Sequence, residues 1–298
     1  MKTAIGVDIG GTKILTALVD ECGHVLESVQ VDSDTRDKET MFRSVVKSIE
    51  QLFDLCNINK LSSPIGVGVP GLVDNVNGVA VYQSNIPWEN FPIKERLKNS
   101  FETNGILVDN DVVMAGYRAY STYGNNDLIT YITVSTGIAC TSVMKGEIIR
   151  GNGFSGEIGH FMVKNNQSYE RLEKLTAGPG IRNRAREMYK DDSLYTKDVF
   201  ERYYQNEDIA TKILEDASEV FAQNLYSLIA LIDPKKIIFG GSVIVNNPQY
   251  LELIKDKLKL FMLKNHEHIL DSMYITEDNG RQGVIGAALK AMHNQEKM

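Results

Sequence analysis

The first residues that could do chemistry lie at the end of an apolar run near the N-terminus. Asp8 ends this run, and four residues suited to binding phosphate follow it: Gly10, Gly11, Thr12 and Lys13. Glycines let backbone N–H groups turn toward phosphate oxygens, and the threonine hydroxyl adds a donor. The Asp8 carboxylate could hold Mg²⁺ directly or through its waters. An ordinary hairpin turn is the alternative, which the cost of an unpartnered buried carboxylate disfavours.

A second candidate is the pair Asn110–Asp111, which follows the apolar run 106–108. An aspartate at the end of a strand can accept the proton of an attacking hydroxyl, which is general-base catalysis. Asn and Asp are also good N-caps, and a helix is predicted from residue 112. Both interpretations stay open at this point.

A third candidate is the segment 156–160, Gly-Glu-Ile-Gly-His. Its glycines allow close approach of a ligand, and Glu157 and His160 can face the same side of a turn. A carboxylate and an imidazole together suit the vicinal hydroxyls of a polyol. The alternatives are a surface charge at Glu157 and a hydrogen-bonded core histidine at His160.

Two nucleotide-binding motifs are excluded. The Gly-x-Gly-x-x-Gly matches at residues 66–71 and 151–156 do not open predicted helices, as a dinucleotide fingerprint must. A Gly-x-x-x-x-Gly-Lys-Ser/Thr phosphate loop does not occur in the sequence.

Composition narrows the class of partner. The 298 residues carry a formal net charge of -7, which offers no basic field to nucleic acid. Three scattered cysteines cannot form a disulfide framework or a zinc knuckle. The chain lacks an apolar run near the ~20 residues of a membrane helix, and its start reads as a strand rather than a signal peptide. We therefore expect a cytoplasmic protein without membrane or nucleic-acid partners.

The order of predicted elements indicates an α/β protein. Runs at 4–9, 14–19 and 25–31 predict a β-meander, and helical spacing over 38–56 predicts the first helix. A strand–turn–strand pattern recurs near residues 129–149, which suggests two related lobes. Mainly helical sequence follows residue 196, including an amphipathic stretch at about 208–232.

Taken in order, the motifs resemble the ROK family of bacterial sugar kinases. They are DIGGTK, GVGVPGLVD, Asn-Asp after a strand, STGIA, GEIGH and IIFGGSV, and they span about residues 4–291. The resemblance implies an actin-like (ribonuclease H-like) two-lobe ATPase fold. The expected small lobe is 1–115 and the larger lobe is 116–283, with a closing helix at 284–298 packed on the small lobe.

The resemblance also implies roles for individual residues, with ATP and Mg²⁺ as cofactors. Asp111 matches the catalytic base. The sugar-binding residues implied are Asn110, Glu157, His160 and Glu173, with Gly71 and Ser84 or Asn85 on another wall of the pocket. The nucleotide-binding residues implied are Asp8, Gly10, Gly11, Thr12 and Lys13 in the first phosphate loop, Thr136 and Gly137 in the second, and Gly240 and Gly241 beside the adenosine.

The chain departs from the family pattern after His160. Many members carry a cysteine-rich zinc loop there, whereas this segment is shorter and has no cysteine. We therefore predict that the protein holds no structural zinc, since zinc sites of this kind need Cys or His ligands. A contact from Asn165, Asn166 or Tyr169 is the hypothesis for what orients His160 and Glu173 instead.

The predicted activity is ATP-dependent phosphorylation of a hexose or N-acetylhexosamine hydroxyl, with glucose O6 as the default. N-acetylmannosamine, N-acetylglucosamine, fructose, allose and β-glucosides are alternatives. A non-catalytic sugar-sensing regulator is an alternative of another class, disfavoured because residue 8 already begins the phosphate loop. Another actin-like ATPase and a catalytically impaired relative, given STGIA in place of the usual GTGIG, are further alternatives. The resemblance implies a homodimer.

Overall fold

The computed structural model describes residues 2–57, 63–103, 105–165 and 168–296. The strands are β1 (Thr3–Ile9), β2 (Lys13–Asp20), β3 (Val25–Asp32), β4 (Ile65–Val69), β5 (Leu72–Asp74), β6 (Val79–Tyr82), β7 (Glu89–Phe91), β8 (Ile106–Asn110), β9 (Ile129–Val134), β10 (Ile138–Met144), β11 (Glu147–Ile148), β12 (Met162–Asn165), β13 (Ser168–Arg171), β14 (Lys236–Gly240) and β15 (Met273–Ile275). The helices are α1 (Lys38–Cys56), α2 (Ile93–Phe101), α3 (Asp111–Tyr123), α4 (Leu172–Thr176), α5 (Gly178–Tyr189), α6 (Thr196–Tyr204), α7 (Asp208–Ile232), α8 (Ser242–Asn246), α9 (Pro248–Lys259) and α10 (Gln282–Glu296). Two 3₁₀ segments are Ile158–His160 and Lys264–Ser272.

The chain divides into two compact units. The first comprises residues 1–125, 143–155 and 278–298, and the second comprises 126–142 and 156–277. The predicted boundary at 115/116 falls within α3, which is continuous and packs on α10. The closing helix α10 lies in the first unit.

The first unit is built on a five-stranded sheet in the order β3-β2-β1-β4-β8. The predicted meander forms its antiparallel half, since β2 pairs with both β1 and β3. β4 runs parallel to β1 on one side and to β8 on the other. Parallel strands end at the same edge of a sheet, so the carboxyl ends of β1 and β8 flank that of β4.

A second five-stranded sheet has the order β11-β10-β9-β14-β15, in which β14 is parallel to β9 and β15. By position along the chain, both sheets read third, second, first, fourth, fifth strand. This repeat agrees with the two related lobes that the sequence suggested. The second unit has its own hydrophobic core, to which the long helix α7 contributes Phe221, Leu225 and Leu228.

A small three-stranded sheet, β5-β6-β7, lies in a stretch where no strand was predicted from the sequence. Its strands are three or four residues long, too short for an alternating pattern to stand out. Trp88 secures this layer, because its ring stacks on Phe91 at 4.7 Å and its indole N–H donates to the Lys38 carbonyl at 3.1 Å. Among the described residues, no helix has the length and apolar character to cross a membrane.

Two glycines allow α10 to lie directly against the first sheet. A β-carbon added to Gly6 would overlap the carbonyl oxygen of Val284, and one added to Gly66 would overlap that of Ala287. Both obstructing atoms belong to the helix backbone, which cannot rotate away. Side chains at these two strand positions would therefore push the helix off the sheet.

We predict that Gly66→Ala destabilises the protein by about 3 kcal/mol, the upper end of the usual cost of overpacking. Gly68→Ala in the same strand is the matched control, because the nearest atom to its added β-carbon would be 3.4 Å away, an ordinary contact. Urea unfolding of the two variants checks this. Equal unfolding midpoints for both would show that α10 is free to shift.

Candidate active site

The first unit brings Asp8, Asn110 and Asp111 to one edge of its sheet. Asp8 lies one residue before the end of β1, and Asn110 and Asp111 join β8 to α3. β4 separates the two strands, and its Gly68 pairs with Asp8 on one side and Asp109 on the other. A β-carbon added to Gly68 would lie 3.5 Å from the Asp111 Cα atom, so β4 also lies close to the start of α3.

The Asp8 carboxyl lies in an unfavourable environment for an anion. The first turn of α10 covers it, because a β-carbon on Gly283 would lie 2.7 Å from Asp8 Oδ2. Removal from water, with a smaller contribution from the charge of Asp111, raises the pKa of Asp8 to about 7, although Lys13 acts in the opposite direction. Such a shift is common where a fold holds carboxylates for a cation or for chemistry.

The predicted first phosphate loop is a tight turn whose last two residues are exposed to solvent. Gly10 N–H donates to the Lys13 carbonyl at 2.9 Å, and Ser33 fixes the turn from outside by donating its hydroxyl to the Gly10 carbonyl at 2.6 Å. Thr12 and Lys13 are exposed. Asn85 packs on the turn, since a β-carbon on Gly11 would lie 2.8 Å from the Asn85 carbonyl oxygen, whereas Ser84 is exposed beside it.

Of the two interpretations that the sequence left open for Asn110–Asp111, the structure shows the helix cap, and Asn110 forms it. Asn110 is the N-cap of α3: its Oδ1 accepts from the Val112 and Val113 amides at 2.9 and 3.2 Å. Its Nδ2 donates to the Gly71 carbonyl at 2.9 Å, which draws Gly71 to the same place. Asp111 is the first helical residue, and its Oδ1 accepts from the Val112 amide at 2.9 Å.

The second unit brings two predicted sugar-binding residues, His160 and Glu173, close together. The His160 Nε2 atom lies 3.9 Å from Glu173 Oε1. β-carbons on Gly137 and Gly159 would each lie 2.9 Å from Glu173 Oε2. Glu173 therefore contacts both the predicted second phosphate loop, at Gly137, and the segment of the sugar motif, at Gly159.

A β-hairpin occupies the position of the missing zinc loop. β12 and β13 pair with Met162 opposite Arg171 and Asn165 opposite Ser168, and the Leu172 amide donates to the Phe161 carbonyl at 2.8 Å. Backbone pairing thus holds α4, which carries Glu173, next to the turn of His160. The sequence suggested that Asn165, Asn166 or Tyr169 orients His160 and Glu173. Tyr169 instead pairs with Lys164 in the hairpin and is 64% exposed, and Asn166 lies outside the described residues.

A cavity of about 520 Å³ opens beside the second phosphate loop. Ser135 and Thr136 form one wall, and the first turns of α5 and α6 form another. The Gly178 amide donates to the Ser135 carbonyl at 2.9 Å, which holds the start of α5 against the loop. Gly240 and Gly241 lead into α8, which supplies a third wall through Ser242, Val243 and Asn246.

Several lining residues of this cavity were not predicted from the sequence: Arg182, Lys197, Phe200, Glu201 and Tyr204. They come from α5 and α6, far along the chain from the loop. The sequence Gly178-Pro179-Gly180 was an available signal, because Pro in the first helical turn after a glycine marks a helix N-terminus. Helix N-termini are favourable places for phosphate.

The raised pKa of Asp8 predicts a pH-dependent stability. The pKa of Asp8 is about 7 in the folded state and 3.8 in the unfolded state, so between these values the folded state keeps a proton that the unfolded state has lost. The free energy of unfolding therefore falls as the pH rises from about 4 to about 7. We expect Asp8→Asn to remove this penalty. Without Mg²⁺, the free energy of unfolding of the variant, relative to that of wild type, should increase by about 2–3 kcal/mol when the pH is raised from 5 to 8.

Asp34→Asn is the control for this measurement. Hydrogen bonds from Arg36 lower the pKa of Asp34 to about 2, so its effect on stability should not vary between pH 5 and 8. Chemical denaturation at both pH values measures each difference. A pH-independent difference for Asp8→Asn would show that its carboxyl ionises normally.

Comparisons with known proteins agree with this geometry. Residues 4–294 match the model of the ROK family. A glucokinase from Halalkalibacterium halodurans is 26% identical, over 99% of this chain and 96% of that protein. An N-acetylmannosamine kinase from Haemophilus influenzae is 27% identical, over 86% of each protein. The solved ROK hexokinase of Thermus thermophilus has a TM-score of 0.86 and 25% identity, covering 99% of this chain and 100% of that one.

The matched segment includes the two predicted phosphate loops, the Asn110–Asp111 turn and the predicted sugar-binding motif around His160. The structural match covers both sheets, which confirms the predicted actin-like two-lobe fold. The family match, the fold and the arrangement of the site lead to one conclusion: the chain belongs to the ROK family.

Proposed function

We propose that the protein is an ATP-dependent sugar kinase that transfers the γ-phosphoryl group of ATP to a hydroxyl of a hexose or N-acetylhexosamine. The observation that carries this proposal is the placement of Asp111 beside Asp8, at the edge of the sheet where the open glycine turn also lies. A carboxylate base, a cation ligand and a phosphate-binding turn are the parts that phosphoryl transfer needs.

Asp111 is the proposed general base. Its carboxylate takes the proton of the attacking hydroxyl as the sugar oxygen bonds to the γ-phosphorus and ADP leaves. Asn110 caps α3 and is bound to Gly71, so the peptide that carries Asp111 has little freedom. This fixed geometry supports the role of base, because proton transfer requires a carboxylate already within reach.

Asp8 is the proposed ligand of Mg²⁺, directly or through water. The residues fit the ion: carboxylate oxygen is the ligand that Mg²⁺ prefers, and a carboxyl whose pKa is raised by burial and by Asp111 gains from a nearby cation. When bound, the ion would neutralise charge on the phosphate oxygens. The amides of Gly11 and Thr12 in the turn and those of the first turn of α10 would do the same from the protein side.

The cavity of the second unit is the proposed site of the nucleoside. Its volume falls in the usual range for a small-molecule site, about 300–1,000 Å³. Thr136 and Gly137 would contact phosphate at one end, and Arg182 and Lys197 supply positive charge. Gly240 and Gly241 would border the adenosine, as the family resemblance implies.

Glu157, His160 and Glu173 are the proposed sugar ligands of the second unit. The family resemblance separately implies sugar-binding roles for Asn85 and Asn110 of the first unit. Carboxylate, amide and imidazole groups together can both donate to and accept from sugar hydroxyls. Glucose at O6 is the first substrate to test, and N-acetylmannosamine is the second because a kinase of that sugar is among the relatives. The homodimer and the cytoplasmic location stay predictions.

The direct test is sugar-dependent release of ADP, measured over a panel of hexoses and N-acetylhexosamines with NMR of the product. At least one sugar should stimulate ADP release, and the product should carry phosphate on a sugar hydroxyl. If every sugar leaves the rate at the level seen with water alone, a regulator or another actin-like ATPase replaces the kinase.

We predict that Asp111→Asn lowers kcat by about 10²–10⁴, the usual contribution of a general base, and leaves sugar affinity within a few-fold. The amide keeps the size of the side chain and its bond to the Val112 amide. Steady-state kinetics and calorimetric titration of the sugar measure the two effects. Asp54→Asn, on an exposed position of α1, is the control. Near-normal turnover in Asp111→Asn would remove this residue from its role.

We also predict that the purified protein holds no stoichiometric zinc. The hairpin of β12 and β13 holds the site by backbone pairing, and the segment after His160 lacks the cysteines of a zinc loop. Elemental analysis should find well below one zinc per chain, and chelators should leave the thermal unfolding midpoint unchanged. One tightly held zinc per chain would contradict this prediction.

A further inference from the structure

Asp109 is a buried carboxylate next to the proposed catalytic turn. Its side chain is 2% exposed, and it directly precedes Asn110 and Asp111 in the chain. Both terminal nitrogens of Arg150 donate to its two oxygens, and Lys290 Nζ lies 3.2 Å from Oδ2. Oδ1 also accepts from the backbone amide of Asn110 at 2.9 Å. Two cations and a turn amide thus meet on one carboxylate.

The groups that hold Asp109 come from separate parts of the first unit. Arg150 follows β11, and Lys290 lies in α10. A cavity of about 440 Å³ lies beside the cluster, lined by Arg150 and Lys290 and by the polar side chains of Asn75, Lys94, Glu147 and Asn294. Because this space lies open beside the two cations, charge rather than close packing keeps them on Asp109.

A cluster of buried charges stabilises a strand end only at a large cost in desolvation free energy. Burying charges costs desolvation free energy, and well-packed apolar residues often stabilise a fold equally well. What an apolar residue cannot supply at this position is an acceptor for the Asn110 amide. That hydrogen bond fixes the backbone at the residue whose side chain caps α3, where φ is -66° and ψ is 145°.

We propose that Asp109 is a positioning residue for the turn that carries Asp111. Arg150 and Lys290 fix the Asp109 carboxylate, which orients the Asn110 amide and thereby the start of α3. This inference rests on the proposed function, in which Asp111 is the base. Small displacements of a catalytic group can lower turnover by about 10²-fold, so the effect should appear in kcat rather than in binding.

The test compares Asp109→Asn with wild type in the sugar-dependent ADP assay. The amide preserves size but holds the two cations weakly and can present an N–H to the Asn110 amide. We expect kcat to fall at least tenfold, with KM for sugar and ATP within about twofold. Arg150→Met keeps Lys290 on Asp109 and should give a smaller fall in kcat. The double variant should fall no further than Asp109→Asn, because both act through one group.

Asp278→Asn is the matched control. Its pair with Arg118 is also partly buried and joins α3 to the chain before α10, with N–O distances of 3.0 and 2.9 Å. Arg118 lies near the C-terminal end of α3, whereas Asp111 is at its N-terminal end. This variant should lower the thermal unfolding midpoint and keep kcat within about twofold. A loss of kcat in Asp278→Asn equal to that in Asp109→Asn would attribute the effect to destabilisation and overturn the proposal.

The outcomes separate this inference from the proposed function. If wild type shows no sugar-dependent activity, or Asp111→Asn remains fully active, the proposed function fails first. If wild type is active, Asp111→Asn is inactive and Asp109→Asn keeps its kcat, only the positioning role fails. If Asp109→Asn does not fold, Arg150→Met provides the test, because Lys290 still pairs with Asp109 in that variant. An unchanged kcat in Arg150→Met then rejects the proposal.

Discussion

The first unit depends on how closely α10 approaches its central sheet. Gly6 and Gly66 have no side chains to hold the helix away, so its backbone rests on β1 and β4. This approach brings the first turn of α10 to Asp8 and places Lys290 within reach of Asp109. One packing contact between helix and sheet therefore arranges two of the carboxylates at the proposed site.

The carboxylates themselves work against stability. Burial, and to a smaller extent the charge of Asp111, raises the pKa of Asp8 and so the cost of ionising it. A fold selected for stability alone would place apolar residues there. The geometry is consistent with phosphoryl transfer, in which a bound cation supplies the missing positive charge and the attacking hydroxyl supplies a proton to the carboxylate base. The buried charge of Asp109 is compensated within the protein, by ion pairs with Arg150 and Lys290.

Much of the architecture could be predicted from the sequence, because it depends on local patterns. The meander, α1 and α7 follow from alternation and helical spacing, and the predicted phosphate loops and Asn110–Asp111 lie at strand ends. The small sheet β5-β6-β7 and the lobe boundary could not be predicted, since the former has very short strands and the latter depends on how distant segments pack. The same limit applies to Arg182, Lys197 and Arg150, whose roles come from partners far along the chain.

The order in which the elements occur has a consequence for synthesis. α10 follows the whole of the second unit in the chain, yet it covers Asp8 and pairs with Asp109 in the first unit. While the ribosome is still making the second unit, the first sheet lacks the helix that rests on Gly6 and Gly66. The second unit, with its separate core, can fold earlier. A nascent chain thus completes the proposed nucleoside cavity of the second unit before α10 covers Asp8 in the first, so chains released early lack the completed sheet edge around Asp8 and Asp109.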